Sequence, residues 1–401
     1  MRDFSFREIF TNKNLCDIII LYLDYTCCGF EKTLNSEKNK AHGYCGLCFL
    51  IRGNVMDISK IDKNFKVETK IEREGLTFYD IDEAPFKIYG VFREGEHYVR
   101  MPTDAAKSVS ERVVSLYRHS AGGRVRFVTD SPYVAVSIKL NCAYKMSHFA
   151  FTGSVGCDVY SGTRYIGTIV PPTNVVNEYE GVIDVPFNES KEYTVNLPLY
   201  SETDKMYIGI KEGSTLKAAP DYEIKKPIVY YGSSITQGGC ASRPGNAYQS
   251  IISREFNADF INLGFSGSAF AEDKMAEYIA GLDMSAFVYD YDHNAPNLEH
   301  YKNTHERMFK IIREKNPDLP ILMMTRPEYY LDEDEQARLQ VMLDTYNNAI
   351  AAGDKNVYYI KGPDLIESVR ESALVDGGHP NDSGFVSMAH VVGNKLKEIL
   401  K

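Results

Sequence analysis

Three residues, Ser234, Asp376 and His379, have the side chains and the spacing needed to cleave an acyl ester. Ser234 lies in the stretch IVYYGSSITQGG, where a serine after an apolar run is either a turn residue or a nucleophile. A serine nucleophile needs a base, and the base needs a carboxylate that orients it. Asp376 and His379 are separated by only two residues, so one turn of backbone brings both side chains to the same side. The pattern predicts a Ser-His-Asp triad.

The negative charge that develops on an ester oxygen during attack needs two or three hydrogen-bond donors aimed at it. We expect these donors to be the backbone N–H groups of Ser234 and Gly267 and the side-chain amide of Asn294. Glycine at position 267 also lets the backbone approach a substrate closely. The structural alternative is that Asn294 caps a loop and that Gly267 only shapes the backbone.

Three further residues are candidates for substrate binding: Arg243, His293 and Arg326. Arg243 lies in a glycine-rich loop and is equally explained as a solvated loop charge. His293 follows the third predicted strand and either lines the acyl pocket or packs behind it. Arg326 ends the fourth predicted strand, where a charge needs an explanation. It either meets the substrate or pairs with Glu328 or Asp292.

From residue 227 onward, short apolar runs alternate with amphipathic segments. The runs that we interpret as strands are PIVYYG, DFINLGF, AFVYDYD, PILMMT and NVYYIKG. The helix-like segments between and after them are 247–256, 273–280, 303–314, 333–351 and 383–400. This alternation predicts a parallel sheet covered by helices on both faces. The carboxyl ends of such strands share one edge, where ligands bind, so we expect the candidate residues to meet there.

Residues 66–221 have the alternation of apolar and polar side chains that is typical of β-strands. The segment GRVRFVTDSPYVAVSIKL predicts a pair of strands joined by a turn at residues 130–132, and GCDVYSGTRYIGTIV predicts a hairpin around Ser-Gly-Thr. No helix is evident between these strands. The segment is therefore expected to form an antiparallel, jelly-roll-like sandwich.

Residues 1–55 differ from the rest in having poor periodicity and five of the eight cysteines: Cys16, Cys27, Cys28, Cys45 and Cys48. Met56 begins a stretch that looks like an ordinary protein start. We interpret 1–55 as an unstructured or mis-assigned extension, 56–222 as the sandwich and 223–401 as the α/β domain. A zinc site that also uses His42 is one hypothesis, but the spacing matches no common finger. Reduced, unpaired cysteines are the simpler interpretation.

Four segments, YGSSIT, NLGFSG, YDHNAP and DGGHP, together resemble the signature blocks of the SGNH (GDSL-like) hydrolase superfamily. The resemblance covers residues 225–401 and implies a flavodoxin-like, three-layer α/β/α fold. It also implies that Ser234 is the nucleophile, that Gly267 and Asn294 are oxyanion donors, and that Asp376 and His379 complete the triad.

Two positions depart from the family pattern. The usual Gly-Asp-Ser is Gly-Ser-Ser here, with Ser233 in place of the acid. The usual Gly-x-Asn-Asp is replaced by Asp292-His293-Asn294-Ala295, with Ala295 at the position of the aspartate. The first departure concerns the support of the nucleophile turn rather than the nucleophile, and the second indicates a subfamily with a different acyl-side pocket.

The segments KIYGVFREGEHYVRMP, SAGGRVRFVTDS and GCDVY resemble the β-sandwich that precedes the catalytic domain in a subset of these hydrolases. Val159 replaces leucine in the Gly-x-Asp-Leu-Tyr signature of that sandwich. This layout is similar to that of carbohydrate acetyl esterases. The resemblance implies that the protein is a serine esterase and that it removes a small acyl group, expected to be acetyl, from a carbohydrate or glycoside. The chain has no Trp, so a sugar-stacking surface would use Tyr or Phe. The alternatives are a lipase-like or acyltransferase activity on another alcohol ester, and a non-catalytic carbohydrate-binding protein.

The formal net charge of -10 argues against nucleic acid or an anionic membrane as a partner. No apolar run reaches 18 residues, so no membrane-spanning helix is expected. The first residues lack the order of a signal peptide, which favours a cytoplasmic location. The predicted chemistry needs neither a metal nor an organic cofactor. The expected partner is a small-molecule or oligosaccharide ester, and a homo-oligomer is left open.

Overall fold

The computed structural model describes residues 71–187 and 189–400 of the protein. The predicted extension at residues 1–55, its cysteines and the first part of the predicted sandwich lie outside these residues. The proposed domain boundaries at residues 55 and 222 stay predictions.

Antiparallel strands form the first part of the described chain. They are β1 (Leu76–Asp80), β2 (Lys87–Tyr89), β3 (Phe92–Glu94), β4 (His97–Val99), β5 (Arg124–Thr129), β6 (Tyr133–Cys142), β7 (Cys157–Ser161), β8 (Arg164–Ile169), β9 (Glu178–Asp184), β10 (Lys191–Asn196), β11 (Glu202–Lys211) and β12 (Leu216–Ala218). One sheet has the order β1-β11-β6-β9, and a second has the order β12-β5-β10-β7-β8 with β2 paired to β5. Inward-facing side chains of both sheets, such as Val136 and Phe127, share one apolar core. The prediction of an antiparallel β domain is confirmed.

The strands β5 and β6 do not pair, although the sequence suggested a pair. The turn at residues 130–132 lies where it was expected, but β5 pairs with β10 whereas β6 pairs with β11 and β9. The chain crosses from one sheet to the other at this turn. Alternation identifies a strand with one buried face, but it does not identify the sheet to which the strand belongs. The hairpin of β7 and β8 forms as predicted.

Helices interrupt the β region, where none was evident from the sequence. They are α1 (Thr103–Val109), α2 (Glu111–Val114) and α3 (Phe151–Ser154). Ala106 of α1, Val113 of α2 and Tyr117 after α2 are buried against apolar residues of the parallel-sheet region. Short helices with few apolar positions have no clear period, and here the packing partner lies more than 150 residues away in the sequence.

A five-stranded parallel sheet forms the second part of the described chain. Its strands are β13 (Ile224–Gly232), β14 (Ala258–Gly264), β15 (Ala286–Asp290), β16 (Ile321–Met324) and β17 (Val357–Ile360). The order β14-β13-β15-β16-β17 is the flavodoxin-like order, in which the first strand lies beside both the second and the third. Each strand matches one of the predicted apolar runs.

Helices cover this sheet. They are α4 (Ser234–Gln237), α5 (Tyr248–Phe256), α6 (Asp273–Ala280), α7 (Leu298–Lys315), α8 (Glu333–Ala351), α9 (Gly362–Leu365) and α10 (Asp382–Ile399). Two apolar cores contain alternate side chains of the same strand, with Val229 and Tyr231 in one and Ile228 and Tyr230 in the other. The helices therefore lie on both faces, and the predicted three-layer α/β fold is confirmed. Within the described residues, none of the helices combines the length and apolar character needed to cross a bilayer. A cytoplasmic location stays a prediction.

The helix α7 begins at Leu298, five residues before the predicted start. The side chain of Asn297 accepts a hydrogen bond from the backbone N–H of His300 and so caps the helix. Asparagine is among the preferred N-cap residues because its side chain satisfies an N–H group that has no partner in the first turn. The polar first turn hid this boundary from the apolar pattern.

Candidate active site

A tight turn joins β13 to α4 and carries Ser234 at its tip. The side chain of Ser233 accepts a hydrogen bond of 3.1 Å from the backbone N–H of Ile235 and caps α4. A Cβ atom at Gly232 would lie 1.8 Å from Oδ1 of Asp290, so only glycine fits beneath the turn. Ser234 is 5% exposed, with its backbone at the carboxyl edge of the sheet.

The carboxyl group of Asp290, at the end of β15, lies under the nucleophile turn. The hydroxyl of Thr236 donates a hydrogen bond to it. Burial, the largest cause, raises the pKa of Asp290 well above its ordinary range, and the nearby carboxylate of Asp292 acts in the same direction. This buried acid on the neighbouring strand contacts the turn that has serine at position 233. The sequence pattern did not single it out, because it reads as part of an apolar strand.

The three candidate triad residues form one chain of hydrogen bonds. Oγ of Ser234 lies 2.8 Å from Nε2 of His379, and Nδ1 of His379 lies 2.9 Å from Oδ2 of Asp376. With Nδ1–H donating to the carboxylate, Nε2 is the acceptor that faces the serine hydroxyl. The structure thus brings Ser234, His379 and Asp376 together in the order that proton transfer from the serine requires.

The carboxylate of Asp376 is held by its own loop. Burial raises the pKa of Asp376, but hydrogen bonds from the backbone N–H and the ring of His379 and from the backbone N–H of Gly378 outweigh it and lower the pKa to about 2. The backbone N–H of His379 donates to Oδ1 at 2.8 Å. The carboxylate is therefore ionised at neutral pH and orients the imidazole.

Two of the candidate oxyanion donors lie on adjacent loops that are hydrogen-bonded to each other. Oδ1 of Asn294 accepts from the backbone N–H groups of Ser268 at 3.1 Å and Ala269 at 3.2 Å. This leaves the NH2 group of Asn294 as the end that can donate to a substrate. Gly267 has a φ of +63°, a left-handed conformation that glycine adopts without strain.

The candidate substrate-binding residue His293 lies beside His379. Their ring centroids are 6.0 Å apart in an edge-to-face arrangement. Burial and then the positive charge of Arg326 lower the pKa of His293 to about 4, so it is neutral at pH 7. Its Nδ1 atom is buried and makes no hydrogen bond within the described part of the chain.

The two candidate arginines are both held by other protein groups. Arg326 donates to Asp292 from its backbone N–H at 3.0 Å and from Nε at 3.3 Å, and from Nη1 to Glu335 at 3.4 Å. Nε of Arg243 donates to the hydroxyl of Tyr160 at 3.2 Å, and its guanidinium lies 4.2 Å from the ring centre of Tyr165. Arg243 therefore ties the loop after Ser234 to the sandwich. A role for either arginine in substrate binding stays a prediction.

The sandwich side of the chain contributes groups to the site that the motifs did not indicate. Arg100 is buried and donates from Nη1 to the carbonyl oxygens of Asn262 and Gly264, at the end of β14. The hydroxyl of Tyr200 donates to the carbonyl oxygen of Ser234 at 3.3 Å. The residues joined by these contacts are from 34 to more than 160 positions apart in the sequence, so no local pattern could have identified them.

Two more side chains lie close to His379. His148, on the loop between β6 and α3, has Nε2 4.0 Å from Oδ2 of Asp376. Cys240 lies on the loop that follows α4, and burial raises the pKa of its thiol to about 12. The thiol is therefore protonated and a weak nucleophile at neutral pH, which fits the interpretation that the serine attacks. Ligand atoms of His148, Cys240 and His379 lie within 4.8 Å of one another, so these residues are the candidate metal ligands of the described chain.

Comparisons with protein families match both parts of the described chain. Residues 225–397 match the model described as the GDSL-like Lipase/Acylhydrolase family. Residues 76–216 match the GxDLY model, described as the N-terminus of Esterase_SGNH_hydro-type. No curated protein matches the sequence.

Solved structures with the same two-part layout are also similar to the chain. A GDSL-like lipase from Bacteroides ovatus ATCC 8483 is 29% identical with a TM-score of 0.73, and the match covers 81% of this chain and 98% of that one. A salicylyl-acyltransferase from a tetracycline biosynthetic pathway is 17% identical with a TM-score of 0.67, covering 82% and 98%. An acetyl xylan esterase from the rumen bacterium Butyrivibrio proteoclasticus is 11% identical with a TM-score of 0.53, covering 80% and 98%. The last two show the shared fold.

The two family matches lie side by side and in the order that the fold has, with the β domain before the parallel-sheet domain. Residues 225–397 therefore form a GDSL-like (SGNH) hydrolase domain that follows a GxDLY-type β domain at residues 76–216, and the chain is a carboxylic ester hydrolase.

Proposed function

We propose that the protein is a serine esterase that hydrolyses a small acyl ester, acetyl in the first instance, on a carbohydrate or glycoside. The hydrogen bond of 2.8 Å between Oγ of Ser234 and Nε2 of His379 is the observation that carries the proposal. A serine hydroxyl has little nucleophilic strength at neutral pH unless a neighbouring base takes its proton.

The reaction follows from these contacts. His379 removes the proton from Ser234 as Oγ attacks the ester carbonyl, and Asp376 stabilises the imidazolium that forms. The NH2 group of Asn294 and the backbone N–H groups of Ser234 and Gly267 donate to the oxyanion. The intermediate then collapses with cleavage of the ester C–O bond, and His379 protonates the departing sugar oxygen, which leaves as a hydroxyl. A water molecule, deprotonated by His379, cleaves the acyl-enzyme to release the carboxylic acid and restore the serine.

The surroundings of the triad support a short acyl group and a hydroxylated leaving group. Two of the side chains next to His379 are the polar groups His148 and His293. Tyr144, on the same loop as His148, is 41% exposed, and we expect its ring to be accessible to a sugar. Hydrogen-bonding side chains favour sugar hydroxyls over a long alkyl chain.

The test is the release of acid from 4-nitrophenyl esters of increasing chain length and from a panel of acetylated oligosaccharides. We expect the acetyl esters to be the best substrates. Ser234→Ala should lower the rate at least about a thousandfold, the size expected for loss of a triad nucleophile. Ser233→Ala is the matched control: it removes the neighbouring hydroxyl that caps α4 and should lower the rate far less than Ser234→Ala.

The proposal is wrong if Ser234→Ala and the parent hydrolyse the esters at comparable rates. A preference for octanoyl over acetyl esters would replace the small acyl group by a lipase-like specificity. Transfer of the acyl group to an added alcohol in preference to water would indicate an acyltransferase instead.

A further inference from the structure

Three side chains with metal-ligating atoms converge beside the candidate nucleophile. Nitrogen atoms of His148 and His379 and the sulfur of Cys240 all lie within 4.8 Å of one another. They come from three separate segments: the loop after β6, the loop after α4 and the loop before α10. Because Asp376 occupies Nδ1 of His379, Nε2 is the nitrogen that this residue can offer.

The atom types of this cluster suit a borderline-soft divalent cation. Zn²⁺ binds imidazole nitrogen at about 2.0–2.1 Å and thiolate sulfur at about 2.3 Å with tetrahedral geometry. That geometry places ligand atoms about 3.3–3.6 Å apart, so the three side chains need to approach by roughly 1 Å. The side chain of His148 is 42% exposed, which leaves it free to make this adjustment. A fourth position stays open for water.

The backbone at Cys240 provides an independent observation. Cys240 has a φ of +72°, a left-handed conformation that residues other than glycine rarely adopt. Strained residues of this kind persist where the surrounding structure holds them, and they cluster at active sites and ligand sites. Here the residue in this conformation has its thiol within 4.8 Å of a ring nitrogen of His379, and a Cβ atom at the adjoining Gly239 would lie 3.4 Å from Cδ2 of the same ring.

We propose that His148, Cys240 and His379 form an inhibitory site for Zn²⁺ or a similar thiophilic divalent cation. On binding, the thiol releases its proton to solvent, and the sulfur and the two imidazole nitrogens donate to the metal. The lone pair at Nε2 of His379 cannot bind the metal and accept the proton of Ser234 at the same time. Occupation of the site therefore stops hydrolysis reversibly. The inhibition, though not the binding, rests on the proposed function of His379 as the base.

The first experiment measures 4-nitrophenyl acetate hydrolysis by the full chain at buffered free Zn²⁺ concentrations, each variant being normalised to its own rate without metal. Cys240→Ser and His148→Gln should each raise the half-inhibitory Zn²⁺ concentration at least about tenfold, as loss of a ligand requires. Cys142→Ser and His390→Gln are matched controls that change a cysteine and a histidine outside the cluster. Their half-inhibitory Zn²⁺ concentrations should equal that of the parent. A chelator should restore the parent's rate. Equal inhibition of all five proteins would overturn the proposal.

The second experiment detects binding without using activity. Cd²⁺ bound to a cysteine sulfur gives an ultraviolet charge-transfer band, which should be smaller in Cys240→Ser than in the parent and unchanged in Ser234→Ala. An equal band in the parent and Cys240→Ser would overturn the site even if the protein is an active esterase. If the band is lost only in Cys240→Ser and the parent has no esterase activity, the metal site is supported and the proposed function is rejected. A melting curve for each variant checks that it folds.

Discussion

Nη1 of Arg100 lies 2.6 Å from the carbonyl oxygen of Gly264, the last residue of the strand that leads to Gly267. The same guanidinium donates from Nη2 to the carbonyl oxygen of Leu116 and lies 4.7 Å from the ring centre of Phe265. Burial lowers the pKa of Arg100 to about 9, so it remains charged at neutral pH. A buried cation thus holds the backbone that precedes one of the candidate oxyanion donors.

Replacing Arg100 should impair both stability and turnover. Arg100→Met leaves several buried carbonyl groups without donors, which should lower the free energy of unfolding by about 3 kcal/mol or more. In folded protein, kcat should fall about tenfold or more with little change in KM, because the loop that positions Gly267 loses its support. Urea unfolding and steady-state kinetics measure these effects.

Arg100→Lys keeps the charge and should recover part of the lost kcat. Arg118→Met, which removes a half-buried arginine bonded to Tyr117, is the control. A rise in KM at unchanged kcat would show instead that Arg100 acts on substrate binding.

Asn294→Ala should remove one oxyanion donor. We expect kcat to fall about 10²–10³-fold at nearly constant KM, because the donor acts on charge that develops in the transition state. Asn297→Ala is the matched control: loss of this helix cap should cost about 1 kcal/mol of stability without a comparable loss of kcat. If Asn294→Ala retains the parental kcat, the amide is a loop-capping group only.

Asp158 of the GxDLY signature should fasten the loop after the nucleophile. Its buried carboxylate accepts from the backbone N–H of Gly245 and from Asn196, both at 2.8 Å. Asp158→Ala should lower stability by about 1–3 kcal/mol and speed proteolysis near Gly245, because the backbone N–H loses its acceptor. Asp283→Ala, which breaks an exposed ion pair with Lys226, should cost at most about 1 kcal/mol. Unchanged cleavage near Gly245 in Asp158→Ala would contradict this role.

Acid should destabilise the protein through its buried histidines. Burial lowers the pKa of His305 to about 3, from an ordinary value near 6.5. Between pH 6.5 and pH 3, His305 is therefore protonated in the unfolded chain but neutral in the folded chain. The free energy of unfolding is greatest above pH 6.5 and decreases as the pH falls toward 3. The loss is about 1.4 kcal/mol per pH unit for such a group.

The variant His305→Phe removes that titration and retains a ring against Tyr289. The slope of unfolding free energy against pH below 6.5 should be shallower than in the parent, whatever the effect on absolute stability. His390→Phe, at an exposed position, is the control. Parallel slopes for the parent and His305→Phe would exclude a contribution from His305.

Much of the parallel-sheet region was predictable because its signals are local. A buried parallel strand is a short apolar run, and an amphipathic helix has a period of about 3.6 residues, so each element can be identified from its own sequence. The helix 333–351 was predicted at its observed bounds, Glu333–Ala351. The close pairing of His379 with Asp376 was also foreseeable, since two intervening residues limit how far apart the side chains can lie.

The partners of the β-strands and the supports of the site depended on tertiary structure. Whether β5 pairs with β6 or with β10 is decided by which inward faces fill one core, and alternation along one strand does not contain that information. Asp290 looks like a strand residue, and Arg100 looks like a charge after a short strand. They become the supports of the nucleophile turn and of the candidate oxyanion loop only when distant segments meet.

The sequence by itself determined the order of the elements and the residue types that come after each strand, because both are written in contiguous segments. Tertiary structure alone decided that Arg100 and Tyr200 support the loops at the carboxyl edge of the sheet and that His148 and Cys240 converge on His379. Such contacts depend on how two sheets and a layer of helices pack around shared apolar cores. That packing is a property of the whole chain, which no single segment encodes.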